Sequence, residues 1–310
     1  LFVVFLAAEN TSPHPILKQL ALLIIVTSRS VSSLIWAIIL VIILGPGVLA
    51  GIIAISLRSI GFVSFAWVVL LFILTPLIII SAMAFTSGEF LVFPPEGLSF
   101  RWFGEITDWL GAIQNSILVA IPAAIIATTI GGIAAYSLDR YDYKFGKLLA
   151  TAATVPIMLP PVIIGVMFIS FFISIGNAGN VWNLIVAHSI FLTPFPFILI
   201  SQGLAELDKS FEEAARNLGA SQLLTVQTIT FPLVRANVIA GFLFAFILSL
   251  NEYIIAWLLS GFSIQTVPIQ IFTSLRYSYS PTIAVISLLF IIVTFAALSV
   301  ADYLAGGIWE

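Results

Sequence analysis

The sequence predicts an all-α integral membrane protein, a core of six spanning helices preceded by one or two extra helices at the N-terminal end. Three observations lead there. Of 310 residues, 61% are hydrophobic and only 8% are charged, where soluble domains carry about 25% charged residues. Mean hydropathy is +1.20, more apolar surface than a water-soluble fold could bury, so the solvent is lipid. Finally, the apolar runs approach the roughly 20 residues that cross a bilayer core of about 30 Å, and Lys and Arg gather in alternate connections between them.

Residues 1–8 are apolar but lack the basic region that opens a secretory signal, so they are not read as one. The run 15–27 is short and contains Lys18, which suits an interfacial helix or one arm of a hairpin. Its partner in such a hairpin is the run 34–57, an extra span interrupted by Gly45-Pro46-Gly47. The core spans are expected at 65–85, 117–138, 148–173, 181–201, 236–259 and 283–305. This divides the chain into an N-terminal extension, 1–60, and a transmembrane domain, 61–310, carrying a polar loop at 206–232.

Orientation follows from the basic residues. Arg140, Lys144 and Lys147 occupy one connection, and Lys209, Arg216 and Arg235 another. Both are therefore cytoplasmic, while 86–114, with Glu89, Glu96, Glu105 and Asp108 against Arg101, is external, as is 260–282. Pro156, Pro160 and Pro161 fall in the third core span, and Pro194 and Pro196 in the fourth. Each proline removes a backbone donor and crowds the preceding turn, so these spans are kinked, either as ordinary bundle helices or to shape a path through the membrane.

Composition excludes several functions. A net charge of −3 does not suit a nucleic-acid partner. The absence of Cys removes thiol chemistry and Cys-based metal sites, and His14 and His188 are too far apart in sequence for a local metal motif. Gly146-Lys147 is followed by Leu148 and not preceded by a glycine-rich phosphate loop, so the chain is not expected to hydrolyse ATP by itself. No catalytic residue, resident cofactor or metal is expected.

The loop 206–232 reads ELDKSFEEAARNLGASQLLTVQTITFP, too polar to span and too structured to be a linker. Ser210, with Glu213 three residues on, reads as a capping box. Helix formers follow to Leu218, and Gly219 offers the positive φ that ends a helix. A second short helix is expected over 221–229, stopped by Pro232. The product is a helix–Gly–helix elbow on the membrane face, a shape that can lay one helix into a groove of a soluble partner.

Glu213-Ala214-Ala215, Gly219 after three more residues, Ile229 after another nine, and then Phe231-Pro232 resemble the EAA loop of bacterial and archaeal ABC importer permeases, E-A-A-x3-G-x9-I-x-L-P. Phe231 in place of Leu is the one departure. The resemblance covers roughly residues 60–305, the six-helix core, and leaves the N-terminal extension outside. Within the family the chain looks most like the second permease of spermidine/putrescine-type systems, through FPPEGLSFRWF (93–103), SLNEYIIAWLLSG (249–261) and PIQIFTSLRYSYSPTIA (268–284).

The resemblance implies a multi-pass subunit of a prokaryotic inner membrane. It implies a cytoplasmic ATPase dimer that binds ATP and Mg and docks on Glu213, Ala214, Ala215, Gly219, Ile229 and Pro232. It also implies a second permease subunit, or a second copy of this chain, and an external substrate-binding protein. The cargo it suggests is a polyamine, with an amino-acid derivative, a phosphonate, ferric iron or a sugar as alternatives.

An ionisable group inside a span is a candidate for the transport path. Glu252 is placed two-thirds along the fifth core span with Asn251 and Tyr253 beside it. Its carboxylate would attract a cation, or else sit at the external interface, exposed or paired, for instance with Arg276. Relatives often carry Asp-Glu where this chain has Asn251-Glu252. His188 reads as a packed or hydrogen-bonded bundle residue. An ion-coupled secondary transporter would leave the elbow unexplained, and an intramembrane enzyme would lack a carboxylate pair.

Overall fold

The computed structural model describes Ala7 and residues 14–30, 69–260, 263–277 and 279–305. The chain forms two compact units, Leu1–Ile80 and Ser81–Glu310. In the first unit α1 runs Pro15–Ser30; its apolar part, Pro15–Val26, is shorter than a span. The expected extra span at 34–57 lies outside the described residues. Helix α2, Val69–Met83, supplies the described part of the first core span.

The second unit holds α3 (Leu110–Arg140), α4 (Gly146–Met158), α5 (Pro161–Ser174), α6 (Val181–Leu192), α7 (Pro194–Glu206), α8 (Ser210–Asn217), α9 (Gln222–Thr225), α10 (Phe231–Asn251), α11 (Ile254–Ser260), α12 (Val267–Tyr277) and α13 (Thr282–Ala305). A 3-10 helix, Arg101–Trp109, leads into α3 to make one rod of 40 residues. With Val181–Glu206, Gln222–Asn251 and Thr282–Val300 it gives, among the described residues, four helices long and apolar enough to cross a membrane.

The third core span is not one helix. α4 and α5 meet at 100°. A residue before proline is pushed out of the helical region, and here two such residues adjoin. Leu159 (ψ 136°) and Pro160 (ψ 135°) are both extended. Pro161 then restarts the helix in its first turn, where its missing N–H costs nothing. Pro194 and Pro196 behave differently, since Thr193 between α6 and α7 stays helical (φ −51°, ψ −36°) and the rod continues. The Ser189 carbonyl takes both the backbone N–H (3.0 Å) and the hydroxyl (2.7 Å) of Thr193.

The fifth core span, expected to reach 259, ends at Asn251; Glu252 and Tyr253 separate it from the short α11. The external connections expected as loops contain the 3-10 helix and α12.

The core is a bundle of α3 packed against α6, α7 and α10. Association in lipid depends on close backbone approach through small residues. α3 provides it with a buried seam, Ala120, Ala123, Ala124, Ala127, Gly131 and Ala135. The contact is tightest at Gly131, where a Cβ would lie 2.9 Å from the Phe197 nitrogen and 3.0 Å from the Thr193 oxygen, so no side chain fits without backbone movement.

Candidate functional site

The elbow begins where α7 ends and closes where α10 begins. Its first helix, α8, is capped differently from the sequence reading. Ser210 is the first helical residue and makes no side-chain cap; instead the Asp208 carboxylate accepts its N–H at 2.9 Å. That bond, with a further one to the Ser210 hydroxyl, holds the Asp208 carboxyl below its ordinary value. Glu213 is exposed rather than folded back as a capping-box partner.

Gly219 ends α8 with φ +92°. Its N–H reaches the Arg216 carbonyl (2.9 Å) and the Ala220 N–H reaches that of Ala215 (3.1 Å), a Schellman closure. The Ser221 hydroxyl caps α9 by accepting the Leu224 N–H at 3.3 Å.

The second helix of the elbow is only four residues of α-helix, followed by a π turn, Val226–Thr230, that runs straight into α10. Pro232 does not stop it. Lying in the first turn of α10, Pro232 cannot donate to the carbonyl four residues back, and the wider π turn just before it takes up that fault, with the Phe231 N–H bonded to the Val226 carbonyl. The elbow and the span form one rod, Gln222–Asn251.

Two adjacent carboxylates divide the labour on α8. Glu213 faces outward with Ala214 and Gly219, beside Phe211 (56% exposed) and Leu218 (90% exposed). Ala215 and Ile229 are half-buried and Pro232 is exposed. Glu212 faces inward and is 3% exposed. Its carboxylate takes a bidentate pair from Arg140, Nε to Oε2 at 2.7 Å and Nη2 to Oε1 at 2.9 Å, and the Thr230 hydroxyl donates to Oε1 at 2.6 Å. Burial pushes this carboxyl up, but the bonds from Arg140 and Thr230 and the charges of Arg140 and Arg216 outweigh it and leave it below the ordinary value.

Glu212 was not singled out from sequence. Its one signal is that Glu212 and Glu213 sit about 100° apart on the helix, so only one of them can face out.

The two basic connections do lie on one side. Besides the Arg140–Glu212 pair, Lys209 approaches Asp139 at 3.4 Å and Gln222 meets the Tyr141 hydroxyl.

The other candidates lie at the break between α10 and α11. Glu252 is 9% exposed. Its two oxygens accept the N–H groups of Ile255 and Ala256, each at 2.9 Å, and cap α11. The ionisable side chain beside it is His188 (Nε2 to Oε2, 3.5 Å), not Arg276. Nδ1 of the buried His188 lies 2.8 Å from the Ser249 hydroxyl. His188 is thus the hydrogen-bonded bundle residue expected. The exposed Asn251 turns back to the Ile247 carbonyl (2.8 Å), and Tyr253 stacks on Phe272 at 4.4 Å. No grouping of three metal-ligating side chains occurs among the described residues.

Comparison with known proteins adds the following. Residues 127–309 match the family model described as "Binding-protein-dependent transport system inner membrane component". Over 222 residues the chain is 33% identical to the putrescine transport system permease protein PotI of Escherichia coli (strain K12), covering 68% of this chain and 79% of the relative. It is 27% identical over 236 residues to the spermidine/putrescine transport system permease protein PotC of Haemophilus influenzae (strain ATCC 51907 / DSM 11121 / KW20 / Rd), covering 75% and 91%. Its fold is similar to a chain of a bacterial ABC transporter involved in the import of the acidic polysaccharide alginate, with TM-score 0.62 and 19% identity, covering 80% of this chain and 97% of that one.

Proposed function

We propose, on the premise that the chain belongs to the binding-protein-dependent transport system inner membrane component family and so is a multi-pass permease subunit of an ABC importer, that it forms half of a translocation path for a polyamine such as putrescine or spermidine. One observation carries the reading of its engine. The elbow presents Glu213 and Ala214 of α8 and the following Gly219 outward, with α8 pinned to two spans, a surface that a soluble partner can grip and push. The partner is a cytoplasmic ATPase pair, which binds ATP and Mg. The small Ala214 and Ala215 admit close approach, Gly219 sets the bend, and Ile229 and Pro232 complete the docking set at the root of α10. A second permease, or a second copy of this chain, completes the path, and an external binding protein delivers the cargo. Closure of the ATPase pair would swing the elbow and rock the bundle between outward and inward access.

The polyamine assignment draws on the names of the relatives and on the carboxylate of Glu252, with Asn251 and Tyr253 at the same break. Since Asn251 beside it is neutral, the break offers a cation one carboxylate, and another small solute is the second reading. The test is co-expression with the genes encoded alongside, purification in detergent and reconstitution with radiolabelled putrescine. Retention of an ATPase and ATP-dependent uptake are expected. A preparation that never retains an ATPase refutes the importer assembly, and one that retains it but moves no putrescine refutes the cargo.

A further inference from the structure

How does a push on α8 reach the membrane? The covalent links are short turns on either side, 207–209 and 218–221. Non-covalently, α8 is tied inward through Glu212 to two different elements. Arg140 is the last residue of α3, the helix at the centre of the bundle, and Thr230 closes the π turn at the root of α10.

The tie is built for direction as well as strength. The guanidinium fork meets the carboxylate with two parallel bonds, which resist rotation as a single point charge would not. Arg140 is itself braced, in contact with the Asp139 carboxylate and lying 5.8 Å over the Tyr136 ring. Both side chains of the pair are buried, 8% and 3% exposed, so water does not screen it.

Beside the pair, the packing is open. A cavity of about 710 Å³ lies between α3, α7 and α10, bordered by Tyr136, Leu204, Gln222, Thr230 and Phe231. On that side the elbow reaches the end of α3 through Gln222 and the Tyr141 hydroxyl, and the space beside them leaves the elbow room to turn. The π turn interrupts the α-helical hydrogen bonding of the 30-residue rod at the same level.

We infer that Glu212, Arg140 and Thr230 form a joint, Glu212 being the positioning residue through which displacement of α8 is divided between α3 and α10, with the adjacent cavity as its clearance. The inference rests on the importer reading above. It assigns coupling, not docking, to Glu212, since the face offered to a partner is the opposite one.

The test uses the whole complex, reconstituted with its ATPase and binding protein. Glu212→Ala, Arg140→Ala and Thr230→Val are each compared with the parent for ATPase retained, putrescine uptake per retained ATPase, and stimulation of ATP hydrolysis by the binding protein. Stimulation crosses the same joint in reverse and does not depend on the cargo's identity.

Each variant is expected to retain ATPase within twofold. Glu212→Ala and Arg140→Ala lose stimulation and about tenfold or more of the uptake, and Thr230→Val loses three- to fivefold. The Glu212→Ala/Arg140→Ala double variant falls no more than twofold below either single one, because the same contact is removed once. Three results overturn the joint: unchanged stimulation and uptake in Glu212→Ala, multiplicative losses near a hundredfold in the double variant, or ATPase lost in parallel with uptake. Should Glu212→Ala fail to insert, Thr230→Val, which removes one hydroxyl, decides alone, and parental stimulation there overturns the proposal. A parent complex without ATPase would instead refute the importer reading.

Discussion

Glu252 caps α11, and two substitutions separate that local purpose from the long-range one proposed for its charge. In Glu252→Ala the N–H groups of Ile255 and Ala256, both buried, lose their acceptors. Losing an N-cap costs about 1 kcal/mol, and each buried donor left unpaired adds about 1–3 kcal/mol. Since the break can relax and admit water to one of them, about 3 kcal/mol is the working figure. In Glu252→Gln one side-chain oxygen remains to accept one N–H, and the amide is accommodated beside His188, so the loss is near 1 kcal/mol. If the charge also draws a cation along the path, Glu252→Gln should raise the KM for putrescine several-fold with little change in thermal unfolding. Glu252→Ala should raise the KM as well and lower the unfolding temperature. The assays are uptake kinetics in proteoliposomes and thermal unfolding in detergent. Unchanged thermal stability in Glu252→Ala would refute the capping argument, and an unchanged KM in Glu252→Gln would refute a role for the charge in transport.

Three other outcomes follow from the geometry. Gly219→Ala places a Cβ on a residue at φ +92° and should cost about 1 kcal/mol, whereas Gly219→Pro, with φ locked near −65°, should abolish ATPase retention; co-purification reads both. Gly131→Ala drives a Cβ into the Phe197 and Thr193 backbone and should destabilise by about 1–3 kcal/mol, while Gly132→Ala, whose Cβ meets only the flexible end of Ile200 at 3.3 Å, should be near neutral in thermal unfolding. Because the Glu212 carboxyl titrates below the ordinary carboxylate value in the folded chain, its stabilisation is complete above the unfolded value of about 4.5 and is lost as pH falls through the lower folded value. Hydrogen exchange over 209–220, corrected for intrinsic rate, should therefore show constant protection from pH 8 to 5 and a loss below 4.5 that is smaller in Glu212→Gln, where the Asp208 cap still titrates.

Much of the molecule was legible in one dimension because lipid makes it so. With no water in the bilayer core, a backbone must close its own hydrogen bonds, so an apolar run of sufficient length has to be a helix. The basic residues around Arg140 and Lys209 then had to share a side, and the two connections do touch. Gly219 was legible too, since a helix followed immediately by another segment needs a left-handed residue at the turn.

The prolines were read only halfway, because proline marks a place of weakness and not an angle. Pro160-Pro161 forces two successive extended residues and a 100° break, while Pro194 and Pro196 are absorbed by a helix whose Thr193 supplies an extra bond. The two carboxylates of the elbow could not be told apart before the fold was known. Glu212 is buried where Arg140, 72 positions away, meets it, while Glu213, one position on, is exposed.

The sequence by itself thus determined the class, the shared side of the two basic connections and the existence of the elbow, since these depend on local backbone needs and on charge relative to a membrane. Only tertiary structure decided which carboxylate anchors the elbow, that His188 and not Arg276 stands by Glu252, and where α10 ends. Those are contacts between residues distant in the chain, and their partners are chosen by packing.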